Sequence, residues 1–66
     1  MNESIAEKKE LELQFEAIRV SGLTNMFDRA GVLRIAKNLH YFLLSNWIED
    51  SSAAEYIAAL REGFKL

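Results

Sequence analysis

The segment Leu39-His40-Tyr41-Phe42-Leu43-Leu44-Ser45-Asn46-Trp47-Ile48-Glu49 admits two readings. Its aromatic pair would suit a β-strand. Its length, its paired leucines and the lack of a partner strand elsewhere favour a helix. As a helix it is apolar almost all round, which is the pattern of an element buried in a core or held in an interface. Once this segment is helical, nothing else in the chain supports a sheet, and the fold class becomes all-α.

The punctuation on either side divides the remainder. Ser4-Ile-Ala-Glu7 has the form of a capping box and opens a helix running from about Ile5 to Val20, with Gly22 suited to a left-handed stop. Asp28 is placed to cap a second helix, about Arg29 to Lys37. It sets Phe27 and Val32 at the two positions of a hydrophobic staple, whereas Asn25 as cap would give none. Gly31 lies inside this helix, where it costs up to about 1 kcal/mol relative to Ala. Asn38 can end it, and the third helix follows from Leu39 to Glu49. Ser52-Ala-Ala-Glu55 is a second capping box and starts a fourth helix that Gly63 ends after Glu62. Phe64 and Leu66 are then free to fold back over the core. The expectation is one domain over residues 1–66, a small bundle of three to four short helices at about 5–20, 29–37, 39–49 and 53–62.

The first helix carries two apolar stripes. At about 100° per residue, Leu11, Phe15 and Ile18 share one side, and Ala6, Leu13, Ala17 and Val20 share nearly the opposite one. Either the stripes pack on different helices of the same chain, or one of them meets another chain in a coiled-coil-like seam. In 66 residues, hydrophobic burial and ordering entropy come close to cancelling. No Cys is present for a disulfide or a thiolate metal site, so self-association is the reinforcement left.

Composition excludes several activities. A single histidine, His40, has no Cys to activate, and no Gly-x-Ser-x-Gly elbow is present. The acidic residues of the first helix, Glu3, Glu7, Glu10, Glu12 and Glu16, alternate with Lys8 and Lys9 and read as a solvated face rather than a cation site. No catalytic residue, metal or cofactor is therefore expected. No apolar run reaches the length of a membrane span, and the N-terminus has no secretory pattern, so no membrane association is expected and the cytoplasm is the default.

Net charge is −2 but unevenly spread. Residues 17–40 hold Arg19, Arg29, Arg34 and Lys37 against Asp28 alone, a basic segment that is the candidate anion-binding set. It is modest for phosphate neutralisation, and an apolar third helix makes a poor recognition helix, so nucleic acid is an unfavoured partner. The candidate interface combines Leu13, Ala17 and Val20 with Tyr41, Leu44, Trp47 and Ile48, because Trp and Tyr anchor interfaces as readily as cores.

The most distinctive string is Gly22-Leu23-Thr24-Asn25-Met26-Phe27-Asp28. With Ala17-Ile18-Arg19 before it and Val32 and Ile35-Ala36 after it, it resembles a family of short bacteriophage and prophage proteins classed as a domain of unknown function. The likeness is closest over Phe15 to Ala36 and loosens through Phe42, Trp47-Ile48 and Glu55-Tyr56, and Met1 to Glu12 extends before the family's usual start. The resemblance implies a phage or prophage origin and a bacterial host cytoplasm, and it carries over no activity.

Physically the string has two readings. It is a structural corner, with Thr24 and Asn25 bonding local backbone, Asp28 capping, and Met26 and Phe27 plugging the gap between helices. Alternatively, Thr24, Asn25 and Met26 form a contact loop for a partner. The functional expectation is a small, self-associating, non-enzymatic protein that binds and modulates a bacterial host protein in transcription, replication or defence. The alternatives are a nucleic-acid-associated regulator, or an oligomer that sequesters a small anionic ligand at arginines and helix N-termini.

Overall fold

The computed structural model describes residues 3–64, and the side chains of residues 6–64. It contains four helices, α1 (Glu3–Ser21), α2 (Arg29–Asn38), α3 (Phe42–Asp50) and α4 (Ala53–Glu62), and no strand among the described residues. The helix count and the all-α class agree with the sequence reading. The Ser4–Glu7 capping exchange and the placement of Leu66 lie outside the described side chains.

One face of each helix feeds a single core. Leu11, Phe15 and Ile18 of α1 meet Val32, Ile35 and Ala36 of α2, Leu44 and Ile48 of α3, and Tyr56 and Ala59 of α4. Phe64 does fold back. Its ring meets Phe15 edge-on at 5.3 Å and Trp47 at 4.8 Å, while Phe15 also meets Tyr56 at 5.9 Å. Edge-to-face pairs of this kind add roughly 0.5–1.5 kcal/mol each beyond area burial.

The third helix starts later than the sequence suggested. Leu39 belongs to the end of α2, and the left-handed residue is His40, at φ 62°, rather than Asn38. The Tyr41 amide donates to the Ala36 carbonyl at 2.8 Å and the His40 amide to Lys37 at 3.1 Å. That is the paired bonding of a Schellman stop, with His40 in the position usually held by glycine. The chain needs three residues, Leu39 to Tyr41, to reverse direction, and these are the residues α3 loses.

α3 also has no N-terminal side-chain cap of its own. Tyr41 precedes it without a side-chain capping bond. Instead the Gln14 side chain of α1 accepts from the Leu44 amide at 3.0 Å. At the other end the Arg29 guanidinium of α2 donates from Nη2 to the carbonyls of Ile48 at 2.6 Å and Ser51 at 2.8 Å. A neighbouring helix thus satisfies one orphan backbone group at each end of α3, while Ser51 itself donates from its hydroxyl to the Trp47 carbonyl at 2.5 Å and from its amide to Ile48 at 3.2 Å. α4 caps itself as expected: Ser52 Oγ accepts from the Glu55 amide at 3.1 Å, and Glu55 accepts from the Ser52 amide at 2.8 Å. Gly63 ends it at positive φ, 91°.

Candidate functional site

The Gly22–Asp28 connection is built as a corner. The Asn25 carboxamide oxygen accepts from the Phe27 amide at 2.9 Å, and the Asn25 carbonyl accepts from the Asp28 amide at 2.8 Å, closing a tight turn. Asp28 then caps α2, accepting from the Gly31 amide at 3.1 Å. Tyr56, fully buried in α4, donates from its hydroxyl to the Met26 carbonyl at 2.6 Å. Burial pushes the Tyr56 phenol up to about 12, with the Asp28 carboxylate adding to the shift and the Arg29 guanidinium opposing it.

Gly31 completes the corner. A methyl group there would lie 2.5 Å from Asp28 Oδ2 and 2.7 Å from Thr24 Oγ1. The glycine that weakens α2 is what lets the cap and Thr24 close onto the helix. The expected staple is not formed as a buried pair: Val32 is in the core, but Phe27 remains 66% exposed. Of the two residues expected to plug the gap, only Met26 packs against the core. Phe27 points away because the turn held by Asn25 and Asp28 carries its side chain outward.

The candidate contact loop is therefore largely occupied with its own geometry. Asn25 is exposed, but its side chain holds the turn, and Thr24 and Met26 are half-buried.

The candidate interface separates into two groups. Leu44 and Ile48 are fully buried and are core residues, not interface residues. An all-round apolar helix does not reveal which face its neighbours cover, and both α1 and α2 pack on this one. Trp47 and Tyr41 are half-buried against the same core. Leu13 and Val20, by contrast, are 67% and 72% exposed, and Ala6 and Ala17 beside them are exposed too. The second stripe of α1 packs on neither α3 nor α4. Phe42, one of the aromatic residues that could have been core or anchor, is also left outside, as are Leu23 and Leu39, which the sequence did not mark as interface candidates.

The basic set does not act as one. Arg29 is spent on the end of α3. Arg19 is hydrogen-bonded to Glu16 one turn earlier, at 2.9 Å from Nε and by a second, shorter contact from Nη2. That bond holds the Glu16 carboxyl below its ordinary range and raises Arg19. Lys37 is paired with Glu49 of α3 at 2.6 Å. Arg34 alone is exposed with no such pairing among the described residues. No group of three or more His, Cys, Asp or Glu side chains suited to a metal ion occurs among the described residues. No described helix is long and apolar enough to cross a membrane.

A family profile described as a domain of unknown function, DUF5049, matches residues 1–63, nearly the whole chain. The chain belongs to the DUF5049 family. The match includes Met1 to Glu12, which the sequence reading set outside the family's usual start. No curated protein and no solved structure matches the chain. DUF5049 membership thus agrees with a domain of unknown function and brings no assigned chemistry.

Proposed function

We propose that this DUF5049 protein is a small non-enzymatic interaction protein of phage or prophage origin. It acts in the bacterial host cytoplasm by binding and modulating a host protein of transcription, replication or defence, and it self-associates. One observation carries this reading. Six large apolar side chains, Leu13, Val20, Leu23, Phe27, Leu39 and Phe42, stand exposed on a chain of 66 residues. Its polar side chains, meanwhile, are turned to structure: Gln14 and Arg29 hold α3, Asn25, Asp28 and Tyr56 hold the corner, and Ser52 and Glu55 cap α4. Large apolar side chains left exposed in this number on so small a protein point to an interaction site.

The host-facing part is assigned to Phe27 beside the corner and Phe42 at the start of α3, since exposed aromatics make effective anchors. The test is affinity capture from a bacterial host lysate with the wild-type chain and with Phe27→Ser/Phe42→Ser. Both positions are exposed, so the double variant should keep its helical circular dichroism. A host protein retained by the wild type and lost by the variant is the expected result. Equal retention by both would sink the assignment. The nucleic-acid alternative is disfavoured by the engagement of Arg19, Arg29 and Lys37. It would need salt-sensitive retention of duplex DNA or RNA, which is not expected.

A further inference from the structure

We infer that the cleft between the C-terminal end of α3 and α4 is a binding site for an arginine side chain presented by a protein partner. The inference rests on the reading of this chain as an interaction protein and names the chemistry of one contact, in a cleft that neither Phe27 nor Phe42 lines. The cleft holds about 370 Å³, at the small end of the roughly 300–1,000 Å³ typical of ligand sites. Trp47 of α3 and Ala58, Ala59 and Gly63 at α4 give it an apolar lining. Asp50 and Glu55 line it too, and no Lys or Arg does.

The charges point to a cation. The last turn of α3 holds Glu49 and Asp50 and no basic residue, although the C-terminal end of a helix favours positive charge. The rest of the chain answers this only in part. Lys37 pairs with Glu49 at 2.6 Å, and Arg29 is bonded to the carbonyls of Ile48 and Ser51. Asp50 is exposed, with no hydrogen bond or ion pair among the described residues. Glu55 accepts from the Ser52 amide with one carboxylate oxygen and leaves the other without a partner among the described residues. Arg61, three residues beyond Ala58, is exposed and does not line the cleft. An acid placed against the helix dipole and left unanswered is a local inconsistency of the kind that functional sites retain.

A guanidinium suits this lining better than an ammonium. Its plane stacks on an indole, its donors fork onto carboxylates, and its aliphatic stem lies along apolar surface. Trp47, half-buried and held edge-on by Phe64 at 4.8 Å, supplies the indole. Asp50 and Glu55 supply the carboxylates, and the two alanines leave room for the stem.

Trp47 is the sole tryptophan, so its fluorescence reports on the cleft directly. The test titrates the wild-type chain, at constant ionic strength, with a capped pentapeptide of four alanines around a central arginine. Two further peptides carry lysine or the uncharged citrulline at the centre. The NMR signals of the Trp47 indole and the Gly63 amide are followed in parallel. The expected result is saturable binding of the arginine peptide with a Kd of about 1 mM, about fivefold weaker for lysine, and none for citrulline. Asp50→Asn and Glu55→Gln should each weaken the arginine peptide about threefold. Gln keeps the capping box, so Glu55→Gln leaves the start of α4 intact. No saturation by either readout up to about 20 mM overturns the site. So does equal binding of the citrulline or lysine peptide, or indifference to both variants. Agmatine, a free small guanidine, binding more tightly than the peptide overturns the assignment to a protein partner. None of these failures touches host capture through Phe27 and Phe42, and failure of that capture leaves the peptide result standing.

Discussion

The Tyr56 hydroxyl donates a 2.6 Å hydrogen bond to the Met26 carbonyl, thirty residues earlier in the chain. It fastens the most distinctive string of the sequence to the centre of the core, and it makes α4 a support for the α1–α2 corner. Tyr56→Phe keeps the ring and removes this bond. The loss should be about 1–2 kcal/mol, read as a fall in Tm of about 4–16 °C by thermal unfolding. An unchanged Tm would mean the corner holds without this bond.

The same phenol gives a pH dependence. Its folded pKa is raised to about 12 from an ordinary value of 10.0, so folding favours the neutral form. This contribution is fully present below pH 10.0 and is lost as pH rises through about 12. In a Tyr41→Phe background, which leaves Tyr56 as the sole tyrosine, phenolate absorbance should appear about two units late and together with loss of helical signal. Ionisation near pH 10 in a folded protein would contradict the buried, bonded hydroxyl.

Gly31→Ala would raise the stability of an isolated helix by up to about 1 kcal/mol. Here the gain should vanish or reverse, because the added methyl meets Asp28 Oδ2 and Thr24 Oγ1 and displaces the α2 cap, itself worth about 1 kcal/mol. In an Asp28→Ala background the same change should be less harmful. Chemical denaturation of the four proteins measures this coupling, and simple additivity would argue against a shared corner.

His40 holds a left-handed conformation that most side chains reach only with strain, and its ring meets Phe42 edge-on at 5.4 Å. His40→Asn should be close to neutral, since Asn tolerates this region. His40→Val should cost more than about 1 kcal/mol, since a β-branched side chain resists it. Equal melting temperatures for these two variants would show that the Schellman stop is not constraining the residue.

Arg29→Met keeps much of the apolar stem and removes the donor to the Ile48 and Ser51 carbonyls. A loss of about 2–3 kcal/mol is expected from bonds made by a charged group. Arg34→Met, on the exposed face of the same helix, should change stability by less than about 0.5 kcal/mol. A similar effect at both positions would undo the distinction between a structural and a free arginine.

What the sequence disclosed was local. Asp28, Ser52–Glu55 and Gly63 each act within a few residues of their own position, and each could be placed from spacing alone. Gln14, Arg29 and Tyr56 could not, because their partners are backbone groups 19 to 30 residues away, and backbone groups leave no mark in a sequence. The late start of α3 was hidden for a related reason: His40 does the work of a glycine without being one. The fate of Leu44 and Ile48 was hidden because a helix apolar on every side carries no directional signal. The outer strip of α1 was legible as a periodicity. That the chain leaves it uncovered was not, since this depends on where α3 and α4 come to rest.

α3 borrows one bond at each end, from Gln14 of α1 and from Arg29 of α2. A nine-residue helix without an N-terminal side-chain cap is too short to persist by itself. It should therefore have no early existence on the folding route and should assemble only as α1 and α2 close around it. Its inner amides should exchange with solvent only through complete unfolding, at the same free energy as the slowest amides of its neighbours. The least self-sufficient helix of the protein is in this way the one whose amides report the stability of the whole.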